Sequence, residues 1–118
     1  MKLGVICDGI SRDLAHTLTV MDEFELEYAE LQFVWDKEVG DHSAEQIAEI
    51  KRLTTAHNKP VSCLSRHIFA GLTTATVAGD ADHTKHMDAL KRVIAMAPEL
   101  ACPLVRIMTS KKEQILLT

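Results

Sequence analysis

YAELQF, residues 28–33, is the stretch that decides between two folds. In an extended chain Ala29, Leu31 and Phe33 point one way while Tyr28, Glu30 and Gln32 point the other. A central strand of an open, doubly wound sheet carries helices on both faces and is apolar throughout. Polar side chains confined to one face suit a strand whose inner side lines a barrel interior, with a site near its C-terminal end.

Working outward, the same unit recurs. KLGVIC (2–7) is a short apolar run closed by Asp8-Gly9. SRDLAHTLTVMDEF (11–24) predicts a helix with Leu14, Ala15, Leu18 and Met21 inward and Ser11 or Asp13 as cap. The second strand is expected to continue through YAELQFVW (28–35), with DKEVGDH (36–42) as its loop. SAEQIAEIKRLTTAHN (43–58) is the clearest helix. Ser43 and Gln46 have capping-box spacing, Ala44, Ile47, Ile50 and Leu53 form a stripe, and Asn58 and Pro60 mark the end. PVSCLS (60–65) predicts a third strand, followed by a long loop through Gly71 and Gly79. DHTKHMDALKRVIAMA (82–97) predicts a helix with Met87, Leu90, Ile94 and Ala97 inward, stopped by Pro98, and PLVRIM (103–108) a fourth strand.

Strands alternating with amphipathic helices imply an α/β fold with a parallel sheet and right-handed crossovers. Residues 1–118 read as a single domain without linkers or low-complexity tracts. After the first strand CDGIS stands where a GxGxxG phosphate loop would be. The barrel is therefore favoured over an open flavodoxin-like sheet, in which a ligand would sit near CDGIS.

Composition sets the outer bounds. The chain is 47% hydrophobic and 25% charged, which is ordinary for a globular domain. A net charge of −4 argues against a nucleic-acid partner, whose usual footprint is basic. No apolar run of about 18 residues predicts a membrane span. MKLGVICDG lacks a signal peptide's apolar core, so a cytoplasmic location is expected. Cys7, Cys63 and Cys102 lack metal-type spacing and read as small buried thiols, Cys63 alone having a basic neighbour in His67.

MKLGVICDGIS, ELQFVWDKEVGD (30–41), SCLSRHIFAG (62–71) and CPLVRIM (102–108) resemble the sugar phosphate isomerase/epimerase group of xylose isomerase-like TIM barrels, which also contains apurinic endonucleases. The resemblance implies a (β/α)8 barrel of which these residues form the first four βα units, a half-barrel with parallel strands. It implies metal-assisted movement of a proton or hydride between neighbouring carbons of a sugar or sugar phosphate. A divalent metal (Mn, Mg, Co or Zn) would serve the intact barrel, its ligands and the acid/base glutamates coming mostly from later strands. No cofactor is then expected in this segment alone, and the segment by itself would be catalytically inactive. The last residues, Ile115 to Thr118, open an apolar run that goes no further, as expected of a chain ending midway round a barrel.

Six residues are candidates for substrate contact: Asp8, Glu30, Gln32, Trp35, His67 and Arg106. The resemblance places His67 at the pocket, and in the endonuclease branch a histidine after the third strand ligates metal, so His67 is the one metal candidate. Glu30 and Gln32 suit sugar hydroxyls or an interior polar network. Trp35 suits stacking on a sugar face or a packing plug. Arg106 could hold a phosphate or carboxylate bidentately, or pair with Glu30. Asp80, Asp82, His83 and His86 read as a solvated helix start, Glu113 as a loop charge, and His16, His42 and His57 as surface positions. A second reading takes the chain as a non-catalytic binding or assembly module, a half-barrel whose free sheet edges and apolar face drive formation of a homodimer or higher homo-oligomer. A third, less favoured, is an apurinic endonuclease-like DNA-repair domain, against which the acidic balance stands.

Overall fold

A computed structural model describes residues 1–73 and 79–109. It is a mixed α/β fold. Strand β1 (Gly4–Ile6) leads through a 3-10 turn (Cys7–Gly9) to helix α1 (Leu14–Glu23); β2 (Tyr28–Leu31) is followed by a short hairpin, β3 (Phe33–Val34) with β4 (Lys37–Glu38). Helix α2 (Ala44–Ala56), strand β5 (Val61–Leu64) and helix α3 (Ala81–Glu99) complete the order. β1, β2 and β5 form a parallel sheet in that order, with a register slip that leaves Ser62 as an extra residue opposite the Ala29–Glu30 step. A fourth position follows: the Leu64 amide donates to Leu104 O, and the Arg106 amide donates to Leu64 O at 3.0 Å, around a single parallel bridge to Val105.

The alternation read in YAELQF holds over β2, where Ala29 and Leu31 are fully buried and Tyr28 and Glu30 half-buried. Ala29, Leu31, Val61 and Leu64 join Leu14, Leu18 and Met21 of α1, Ile50 of α2 and Val93, Met96 and Ala97 of α3 in one core. All three helices therefore share one face of the sheet. That follows from the strand order, since right-handed crossovers between consecutive neighbours all return on the same side. The opposite face carries Ile6, Glu30, Cys63 and Arg106, none of them fully buried.

Local chemistry explains the element limits. Asp13 caps α1 by accepting from the His16 amide, and Ser43 and Gln46 close a full capping box on α2. The second strand does not run to residue 35. Trp35 enters the left-handed region at φ 56° and its amide donates to Arg12 O at 2.7 Å, so the chain turns back into the hairpin. Helix α1 buries Thr17 in place of Ala15, because the Thr17 hydroxyl donates to Ser11 O at 2.8 Å.

Helix α2 leaves Ala44 exposed and buries Ile50 and Thr54. The buried face of α3 is turned from the predicted one: Ala97 is buried as expected, but it is joined by Ala89, Val93, Met96 and Leu100, while Ile94 is exposed. The hairpin sets that face. Gly40, at φ 100°, passes so close to α3 that a Cβ there would meet Val93 Cγ2 at 2.8 Å, and its amide donates to Met96 Sδ. Pro98 lies inside the last turn of α3, one residue before its end, where its missing N–H costs a single helical bond.

Replacing the fully buried Leu64 by alanine should lower the unfolding free energy by about 2–5 kcal/mol, measured by urea denaturation. A loss under about 1 kcal/mol would contradict the packing of three helices on this strand. Gly40→Ala should also destabilise, because it adds both a close contact and an unfavourable positive φ.

Candidate functional site

The C-terminal ends of parallel strands, with their following loops, are where α/β folds place binding groups. Here that end carries Asp8 after β1, Gln32 after β2, Glu38 on β4 and His67 beyond β5. The hairpin folds Glu38 back toward β5. There its Oε2 accepts from the His67 amide at 3.1 Å and lies 3.2 Å from His67 Nδ1. The Gln32 amide nitrogen lies 2.8 Å from both ring nitrogens of His67. A carboxylate only accepts and an amide NH2 only donates, so the consistent arrangement puts the ring proton on Nδ1, toward Glu38. Nε2 then accepts from Gln32. His67 remains half-exposed, so this Gln32–His67–Glu38 set presents polar edges to solvent.

Arg66 fastens the set to the rest of the fold. Its Nη1 donates to Val39 O at 3.1 Å and pairs with Asp41 Oδ1 at 2.9 Å, and its Nε stands 3.6 Å from Glu38 Oε1. Arg92 of α3 pairs with the same Asp41 oxygen at 3.1 Å. Burial pushes the Asp41 carboxyl up, but the hydrogen bonds and charges of Arg66 and Arg92 outweigh it and hold the pKa below the ordinary carboxylate range.

The other candidates divide between the mouth and the uncovered face. Asp8 has a buried Oδ1 without a hydrogen-bond partner. Glu30 sits on the helix-free face, bordering a shallow recess lined by Gly4, Val5, Ile6 and Ser62. Arg106 does not pair with Glu30: its Nη2 donates to Ser65 O at 2.6 Å, while its Nε is buried without an acceptor. Trp35, in the turn of the hairpin after β2, packs against the core and edge-on to His42 at 6.0 Å. That placement favours the packing role for Trp35.

Burial disfavours the thiolate form at all three cysteines. Burial pushes Cys7 up to about 12, with the Asp8 and Glu30 charges adding to it. Burial likewise raises Cys63 and Cys102, Glu30 contributing at Cys63. Among the described residues no three His, Cys, Asp or Glu side chains are grouped so as to hold a metal ion, and both ring nitrogens of His67 are already engaged.

Several histidines differ from expectation. His42 is buried, with its Nε2 donating to Val34 O at 2.9 Å. His57 is half-buried against Asp22 at 2.7 Å. His86 accepts from the Phe69 amide at 2.9 Å, and His83 stacks on the Phe69 ring, so this helix start holds a loop and is not simply solvated. Glu113 lies outside the described residues. Glu38 and Arg66 are the site residues that sequence reasoning missed. The signal available was Val34, Lys37, Glu38 and Val39, a pattern that also fits two short strands about a turn at Trp35-Asp36.

No family model, no curated protein and no solved structure matches this chain. Among the described residues no helix is long and apolar enough to cross a membrane.

The depressed Asp41 gives a prediction in acid. Its folded pKa lies below the unfolded value, so its contribution is present above the ordinary carboxylate range and is lost as pH falls through the depressed value. Asp41→Asn should lower stability at neutral pH, and the gap from the parent should close in strong acid. Urea unfolding across pH checks this; a gap unchanged by acid would contradict it.

Proposed function

We propose that this chain is a (β/α)8-type half-barrel whose strand ends bind a sugar or sugar phosphate, contributing pocket residues to an isomerase- or epimerase-like barrel. The observation that carries the reading is the Gln32–His67–Glu38 set beside Asp8, on a sheet whose strands advance in sequence order with all helices on one face. An open doubly wound sheet reverses its strand order near the ligand crevice. No such reversal occurs among the described strands.

The residues divide the work by their hydrogen-bonding capacity. Glu38 fixes the His67 ring through Nδ1, and Gln32 and His67 exchange their mutual contact for hydroxyls of a bound sugar. The unpartnered Asp8 oxygen accepts from a further hydroxyl. Ligand hydroxyls that satisfy groups already positioned contribute more specificity than apolar contact does, because an analogue lacking them strands buried polar atoms. Proton or hydride transfer would require metal ligands and acid/base carboxylates from further βα units, so isomerisation by residues 1–118 alone is not expected.

The test is a titration of the isotopically labelled 118-residue chain with a pentose phosphate and a hexose phosphate, followed by NMR. Shifts should localise to Asp8, Gln32, Glu38 and His67. They should be lost in His67→Ala, while Trp35→Phe should keep them. Shifts confined to the opposite end of the strands, or none at millimolar ligand, would contradict the proposal.

A further inference from the structure

Among the described residues one sheet face carries no helix, and it holds two opposite charges that do not meet. Glu30 of β2 makes no ion pair among the described residues, and Arg106 has a buried Nε without an acceptor. Arg106, one residue past Val105, is level with Ser65, two residues further along the strands than Glu30. A barrel whose strands stagger by about one residue each removes that offset over two strands. Glu30 is in register with Cys63, and the charges of Glu30 and Arg106 both act on that thiol. Counting across the sheet, Glu30 occupies the second strand position and Arg106 the fourth, with Cys63 between them.

The two edges of the sheet also match. Of the eight large apolar side chains exposed among the described residues, Met1, Leu3 and Ile6 lie on or beside the β1 edge and Leu104, Ile107 and Met108 on the opposite edge. Only Phe24 and Ile94 lie in the helical layer. Ile6 is 40% exposed and Leu104 61%. Parallel strands with unpaired edges and apolar flanks are strong drives to association.

We infer that the occupant of this face is a second copy of the same chain, related by a two-fold axis and joined edge to edge, β1 of each copy beside residues 103–108 of the other. Four strand positions from each copy make eight, the number at which a parallel sheet closes with its interior filled by side chains. In such a ring each interior layer is built from alternate strands. The layer containing Glu30 and Arg106 then consists of Glu30, Arg106, Glu30 and Arg106 in rotation. Every carboxylate stands between two guanidiniums, and the stranded Arg106 Nε gains an acceptor. A partner of different sequence would need to supply this alternation independently, whereas a second copy supplies it by symmetry. Closure also brings the two Gln32–His67–Glu38 sets to one mouth, so the pocket is completed by the second copy. This inference rests on the barrel reading proposed above.

Sedimentation equilibrium of the 118-residue chain tests it, with circular dichroism confirming that each variant is folded. The parent should sediment at about twice 13.1 kDa. Ile6→Lys and Leu104→Lys, at exposed positions, should each give a folded monomer. Glu30→Lys and Arg106→Glu should each weaken the dimer at least tenfold, and the double exchange should restore it, because reversing both signs keeps the alternation. A folded parent that stays monomeric at about 0.1 mM, a dimer indifferent to Ile6→Lys and Leu104→Lys, or a double exchange no better than its singles would each overturn the inference. A monomer that still binds sugar phosphate at the strand ends removes the second copy and leaves the pocket standing. A dimer that binds no sugar phosphate does the reverse.

Discussion

Because β1, β2, β5 and the Val105 bridge lie side by side in sequence order, each right-handed crossover returns its helix to the same face. The rest of the molecule is organised around that constraint. Leu14, Leu18, Ile50, Val93 and Met96 can converge on one side of the strands because no helix is sent to the other. Among the described residues the sheet is left with one face and two edges open. Ile6, Leu104, Glu30 and Arg106 are the side chains exposed or unpaired as a result.

The site depends on a smaller departure from regularity. If β2 had continued, Glu38 would have been carried away from β5. The turn at Trp35 reverses the chain after two residues of β3, and β4 brings Glu38 against the His67 amide and ring. Arg66 and Asp41 then tie the hairpin to the loop after β5, and Arg92 extends the tie to α3. Gly40 permits the close passage on α3 that this tie requires. Pocket geometry and the packing of α3 are thus set by the same nine-residue stretch, 33–41.

Those parts of the fold governed by local rules were legible in the sequence. The alternation in residues 28–31, the Ser43–Gln46 capping box and the order of strands and helices each follow from neighbours within a few positions. The misreadings share a different cause, since each was decided by a distant contact. Periodicity points Ile94 inward, but the hairpin selects Val93 and Met96. The local pattern points His42 to the surface, but it is buried and donates to the Val34 carbonyl. The sequence offers Arg106 as a partner for Glu30, but its Nη2 donates to Ser65 O instead. For the site, Gln32 and His67 were visible as candidates, whereas Glu38 became one only through the hairpin.

Strand order can be measured directly by cross-strand nuclear Overhauser effects in the labelled chain. The account predicts contacts between Val5 and Ala29, between Ala29 and Val61, and between Leu64 and Val105. Contacts linking β1 directly to β5, with β2 displaced to an edge, would show a reversed, doubly wound order. The common helical face, the open face opposite it and the barrel reading would then all be contradicted.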